Sequence, residues 1–400
     1  MDNIIAKKNN TFLIISVLML FSWCGHLNGT AAILANMAEA YPTVPMTSIY
    51  MLSTLVSLVS IPFSLISGWV ADRFGMKKTL IIFLIILVVA GVGPAFITSF
   101  NAILVLRALV GASHGIIYPL PNVVATKSFP DEGLRSKVMG WGQLSICIFS
   151  VLISAASGYL ANIDVRYAWY IYLVGIIAIV FAFFIPEDKK PTQATEKTSN
   201  VHKDITNSKE KMTSLSWFFI IATMLIVLFA YPFYLNVSSI ISAEGLGTSV
   251  QAGYTVSLWT AGGAVGSFIF GFLYEKIKGY VGTVGSIIMF LGLACFAFGH
   301  SMFLMFVGAF VGGMGCVMMT TYMFLGISLA TPISRVSTAM GIASAFLNGA
   351  AFVSGYFYPW ISNLFGAAAN LRFPFYISMI GLVTLSIFFV IMTKKQAKTV

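Results

Sequence analysis

Charge is what this chain has least of. Only 9% of its 400 residues are Asp, Glu, Lys or Arg, against ~25% in a typical soluble domain. Hydrophobic residues make up 58%. Acid is scarcer than base, with 13 Asp and Glu against 23 Lys and Arg, and every acid lies at or beyond the end of an apolar run. The four cysteines (Cys24, Cys147, Cys295, Cys316) sit inside apolar runs, without metal-ligand spacing or a loop context for disulfides. There is no phosphate loop of the G-x-x-x-x-G-K-S/T type and no metal-spaced His/Cys cluster. These absences exclude a primary ATP-driven pump. They leave no enzyme constellation, no cofactor and no metal to expect.

What is there is a series of apolar runs, each long enough to cross a bilayer as a helix. Twelve fall at 11–37, 48–70, 79–98, 101–126, 136–160, 169–185, 215–241, 249–274, 281–299, 302–329, 338–360 and 371–392. The run from Thr11 to Ala38 is too long for the core of a secretory signal. It reads as the first membrane helix. Residues 186–213 are polar, mixed in charge and poor in apolar residues, as a flexible linker requires. His202 lies there and is expected to be solvated. The expectation is an all-α membrane protein with twelve transmembrane helices in two pseudo-symmetric six-helix lobes, 1–185 and 214–400.

Orientation follows from the bases, which concentrate on the cytoplasmic side of membrane proteins. With the N-terminus inside, 20 Lys and Arg fall in cytoplasmic segments, six of them in the linker. Arg166 and Arg372 fall outside, and Arg107 lies within a span. The formal charge of +10 therefore records insertion and argues against a nucleic-acid partner. Both termini are expected in the cytoplasm. The excess of Lys over Arg, 17 to 6, fits an AT-rich bacterium, so the expected location is a bacterial cytoplasmic membrane.

A charged turn interrupts the uncharged residues 48–70 and 79–98. It reads Gly68-Trp-Val-Ala-Asp72-Arg73-Phe-Gly75-Met-Lys77-Lys78. Its G-x-x-x-D-R-x-G-x-K-K spacing resembles the loop between helices 2 and 3 of the major facilitator superfamily. The resemblance implies a transporter fold, with Gly68, Asp72, Arg73, Gly75, Lys77 and Lys78 as a conformational gate. In that family the acid helps hold the lobes closed near the start of span 11, here Ser337-Thr338. A weaker echo closes span 8, where Gly271 and Glu275 repeat Gly68 and Asp72 at an offset of 203. Arg135 and Gly140 echo Arg335 and Gly341 at offsets of 200 and 201. A six-span repeat at near-constant offset is the mark of a two-lobed transporter.

Ionisable groups inside the membrane are expensive and mark substrate or ion paths. Only His26, Arg107 and His114 are embedded. Arg107, Gly111, His114 and Tyr118 follow helical spacing on one face of span 4. Arg107 and Gly111 also resemble the R-x-x-x-G signature of the superfamily's drug–proton antiporters, whose arginine is implicated in proton coupling. The antiporter signature of span 5 is poorly matched. Gly142, Ser150, Ser154, Ser157 and Gly158 keep its smallness without Gly-Pro. Expected proton-coupling residues are His26, Arg107 and His114, since an unperturbed imidazole titrates near pH ~6.5.

Prolines mark places where helices bend around a cavity: Tyr118-Pro119-Leu-Pro121-Asn122 and Tyr231-Pro232-Phe-Tyr234-Leu-Asn236. The expected substrate lining is His26, Asn28, Arg107, His114, Tyr118, Asn122, Tyr231, Tyr234, Asn236, Met318, Met319 and Tyr322. Two substrate classes follow. Aromatic and Met walls suit proton-coupled efflux of a small amphiphilic solute or drug. A lone embedded arginine, with two histidines and no acid, suits a small organic anion. The expected partners are that solute, protons and the lipid bilayer, with the chain acting as a monomer.

Overall fold

The computed structural model describes residues 2–186, 211–247 and 249–397. Most of the expected linker, residues 187–210 with His202, lies outside the described residues, as does Lys398. So does the side chain of Asn28.

Helices run in the order α1 (Asp2–Trp23), α2 (Leu27–Ala32), α3 (Leu34–Ala40), α4 (Met46–Phe74), α5 (Met76–Val92), α6 (Phe100–Ile117), α7 (Leu120–Ser128), α8 (Glu132–Ile163) and α9 (Gly175–Ala182). After the linker come α10 (Ser214–Ala243), α11 (Ser249–Ile277), α12 (Tyr280–Phe298), α13 (Met302–Ala330), α14 (Val336–Leu364) and α15 (Phe373–Ala397). No strand occurs among the described residues. Ten segments are long and apolar enough to cross a membrane, and Thr11–His26 and Tyr167–Ala182 are shorter apolar helices. The protein is an all-α, multi-pass membrane protein.

Two of the expected spans are built differently. The first apolar run is not one helix: a 3-10 turn at Cys24–His26 separates α1 from α2. There Gly25 packs against α8, where a Cβ would meet Ile146 O at 2.9 Å. The sixth begins as eight residues of 3-10 helix, Tyr167–Val174, longer than such stretches usually run. Both irregular segments bear on the site described below.

Proline frees a carbonyl four residues before it, and two of these are answered from neighbouring helices. Pro119 separates α6 from α7 and leaves Gly115 O without its helical donor; Ser64 Oγ of α4 donates to it at 3.1 Å. Pro232 leaves Leu228 O, and Tyr358 Oη of α14 donates to it at 2.9 Å. With that carbonyl satisfied, α10 runs unbroken through Pro232.

Within the first half α4 packs on α6, α5 on α6 and α9, and α1 on α8 and α9. In the second half α13 packs on α11 and α12, α12 on α15, and α10 on α14. Small residues allow close approach: a Cβ on Gly292 would fall on the Gly312 backbone. Contacts between the halves are fewer and come chiefly from α4 on α14 and α8 on α11.

Candidate functional site

The break at Pro119 and the 3-10 turn at Cys24–His26 bring polar side chains into the first half's interior. Arg107 of α6 has no exposed surface. Its Nε donates to Leu52 O of α4 at 2.7 Å, and its Nη1 donates to Tyr172 Oη at 2.7 Å. The guanidinium also sits over the rings of Trp169 and Tyr172, at 5.6 and 6.0 Å from their centroids. A fully desolvated cation is costly unless hydrogen-bonded or paired. No ion pair to Arg107 occurs among the described residues, and its Nη2 has no hydrogen-bond partner.

His26 is almost fully buried. Its Nδ1 lies 2.7 Å from Trp23 O. A carbonyl only accepts, so the proton sits on Nδ1 and a neutral ring leaves Nε2 as a lone pair. That Nε2 has no partner. The ring stacks on Trp23 at 5.5 Å and meets Tyr172 edge-on at 5.6 Å. His114 is buried beside it, with ring centroids 5.1 Å apart, and Tyr118 follows at 5.2 Å. Arg107, Tyr172, His26, His114 and Tyr118 thus form one connected series. Arg107 reaches His26 through Tyr172, which the sequence reading missed along with Trp23 and Trp169. Nothing local marks Tyr172, because its partner lies 65 residues away.

Most of the other expected lining residues have partners of their own. Asn122 is buried at the start of α7, with its Oδ1 unpartnered. Tyr231 and Tyr234 lie 5.5 Å apart, and Tyr234 is half-exposed beside Trp259 at 5.9 Å. Asn236 Nδ2 donates to Leu371 O at 3.0 Å, tying α10 to the loop before α15. Met318, Met319 and Tyr322 are buried in α13. Met319 and Tyr322 pack over Gly285 and Gly282 of α12, and Tyr322 also meets Phe219 and Phe389.

The charged turn lies where α4 meets α14. Gly68 lets the backbones touch: a Cβ there would lie 2.6 Å from Ser337 O. Asp72 Oδ1 accepts from Ser337 Oγ at 2.9 Å and lies 3.5 Å from Lys127 Nζ. Arg73 packs over Trp69 at 5.8 Å. Gly75 has φ +93°, a region L side chains avoid, and turns the chain into α5, whose first residues include Lys77 and Lys78.

A second contact repeats the first on the other side. Gly271 of α11 lies against Lys137 of α8, and Glu275 Oε1 is 2.7 Å from Lys137 Nζ. Glu132 Oε1 accepts from Tyr274 Oη at 2.9 Å and from Lys278 Nζ at 3.0 Å. Arg135 Nη1 donates to Ser328 Oγ of α13 at 2.9 Å. The sequence repeat pairs Gly68 with Gly271 and Asp72 with Glu275. It had not indicated that the second acid would meet the first half.

Farther along the same helices the neighbours disappear. A Cβ on Gly158 of α8, Gly253 of α11, or Gly349 and Gly355 of α14 would meet nothing. The two halves are joined at the end bearing the charged turn.

The chain matches the profile of the Major Facilitator Superfamily over residues 11–284 and 239–400. It is 25% identical over 379 residues to an uncharacterized MFS-type transporter of Caenorhabditis elegans, covering 87% of this chain and 64% of that protein. It is 24% identical over 400 residues to Multidrug resistance protein 2 of Bacillus subtilis (strain 168), covering 96% of this chain and 92% of that protein. Among solved structures it shares its fold with the proton:xylose symporter XylE, at TM-score 0.70 and 15% identity, covering 95% of both chains. With matched segments that together run from residue 11 to residue 400, this chain belongs to the Major Facilitator Superfamily, whose members are transporters of small solutes.

Proposed function

We propose that this protein is a secondary active transporter that exports a small amphiphilic solute in exchange for protons, by alternating access. The observation that carries this reading is the buried series from Arg107 to Tyr118. It supplies a fixed positive charge, a histidine with a bare Nε2 and, among the described residues, no acid in ion-pair contact. A proton taken up on that nitrogen is opposed by the charge of Arg107, so it is readily passed on. Similarity to Multidrug resistance protein 2 along nearly the whole chain supports export of an amphiphile.

The architecture proposed is twelve spans in two six-helix lobes, 1–185 and 214–400, with residues 186–213 as a cytoplasmic linker. The two shorter apolar helices, Thr11–His26 and Tyr167–Ala182, supply spans 1 and 6. Both termini face the cytoplasm of a bacterial cell, in its inner membrane, because the bases concentrate there. Strong labelling from outside of a cysteine placed at Thr198, in sealed cells, refutes that orientation. The contacts at Asp72 and Glu275 then lie on the cytoplasmic side, and the structure represents the state closed there. The protein works as a monomer, and a cross-linked dimer of native yield overturns that.

A second reading rests on Arg107 Nη2, a buried donor without a partner, which suits a carboxylate substrate. Substitution separates the two. In the export reading, His26→Gln with His114→Gln abolishes gradient-driven accumulation and leaves counterflow exchange. If Arg107 holds an anion, Arg107→Gln abolishes substrate binding and the double histidine change does not. Proton-driven transport retained in the double histidine variant refutes coupling through these rings.

A further inference from the structure

Between the halves, α4 and α14 form a V. At its apex Gly341 packs against α4, where a Cβ would lie 2.7 Å from Ser67 Oγ. Two turns along, at Gly349, a Cβ meets nothing. The opening is a crevice of about 260 Å³ between Ile61 and Leu65 of α4, Met224 and Leu228 of α10, and Phe346 and Val353 of α14. No polar atom lines it. Leu228 O, the carbonyl that Pro232 frees beside it, is covered by Tyr358.

Three facts decide what fills this crevice. Leu228 lies midway along α10 and Gly349 near the middle of α14, so the crevice sits at the centre of the hydrocarbon layer. Leu65 and Val353 at its edges are 45% and 50% exposed, so its mouth is open at the flank of the helices. Its volume is below the roughly 300–1,000 Å³ of sites that enclose a whole drug-sized ligand. We propose that the crevice seats one alkyl chain of a bilayer lipid. Its walls come from both halves, so the seat exists only while α4 and α14 are splayed beyond Gly341. The chain therefore favours the state joined at the charged turn, as any ligand that binds one conformer does.

The test uses phosphatidylcholine carrying a mid-chain diazirine, in phosphatidylcholine nanodiscs, with labelled residues mapped by mass spectrometry. Labelling is expected to concentrate at Ile61, Leu65, Phe346 and Val353, above Val89 of α5 and Ile387 of α15, although those two are more exposed. Gly349→Phe fills the crevice from a position where a Cβ clashes with nothing. It should reduce crevice labelling to the level of Val89 and leave Ile387 unchanged; Gly349→Leu is the milder version. Retained labelling at Ile387 shows that either variant is folded. Uniform labelling of the lipid-facing surface, or crevice labelling indifferent to both variants, overturns the proposal. Displacement by a transported dye would assign the crevice to the substrate path and also overturn it. None of these readouts depends on transport, so they stand apart from the export reading.

Discussion

Breaking the contact between Asp72 and Ser337 should open the end of the molecule that bears the charged turn. Asp72→Asn keeps the size of the side chain and removes its charge. Hydrogen bonds to charged groups are worth about 1.5–3 kcal/mol, but this carboxylate is 41% exposed. Solvent screening lowers the figure to about 1 kcal/mol. A shift of that size changes the ratio of closed to open forms about fivefold. Ser337→Ala removes the same bond from the other side, leaving Lys127 beside Asp72. The two single variants and their double form a cycle. Spin labels at positions 78 and 276, one on each half, would report the populations by their distance distribution. The expected coupling is a double variant no more open than Asp72→Asn alone. Coupling below about 0.3 kcal/mol, the level of independent sites, would show that the bond does not hold the halves together.

Three further outcomes follow. Exchanging charge in the second contact, Lys137→Glu with Glu275→Lys, should restore closure that either single change weakens; a double variant as open as the singles refutes an ion-pair role. Tyr358→Phe leaves Leu228 O buried without a donor, costing about 1–3 kcal/mol, and should lower the melting temperature; an unchanged value means that another group satisfies the carbonyl. Glu244 joins α10 to Arg372, whose Nε and Nη2 donate to it at 2.6 and 2.5 Å. These bonds hold its pKa below the ordinary value. A depressed carboxylate stabilises the fold above its unfolded pKa and loses that contribution as pH falls through the folded value. Glu244→Gln should therefore flatten the loss of stability between about pH 5 and pH 3, and an unaltered slope contradicts the assignment.

The parts legible in the sequence were those with a local or periodic signal. The turn from Gly68 to Lys78 announced itself by its charges and glycines. Arg107, His26 and His114 stood out because ionisable residues are rare in apolar runs. The internal offset near 200 placed Asp72 and Glu275 in corresponding positions. Tertiary partners were not legible. Tyr172 is an ordinary aromatic residue in an apolar run until α6 comes beside it. Pro232 signals a freed carbonyl, but nothing local shows that the hydroxyl of Tyr358, 126 residues away, answers it. Met319 and Tyr322 share a helix face, but a face has no direction until its neighbours are known, and glycines of α12 receive this one. The tightening at Cys24–His26 has no proline to announce it.

Flux into sealed proteoliposomes, measured with a cationic dye and with a small carboxylate, each with and without a pH gradient, tests the central claim most directly. The account predicts that the dye accumulates only when the gradient is imposed, and that the carboxylate does not. Accumulation of the carboxylate alone, or movement of neither under any gradient, contradicts it.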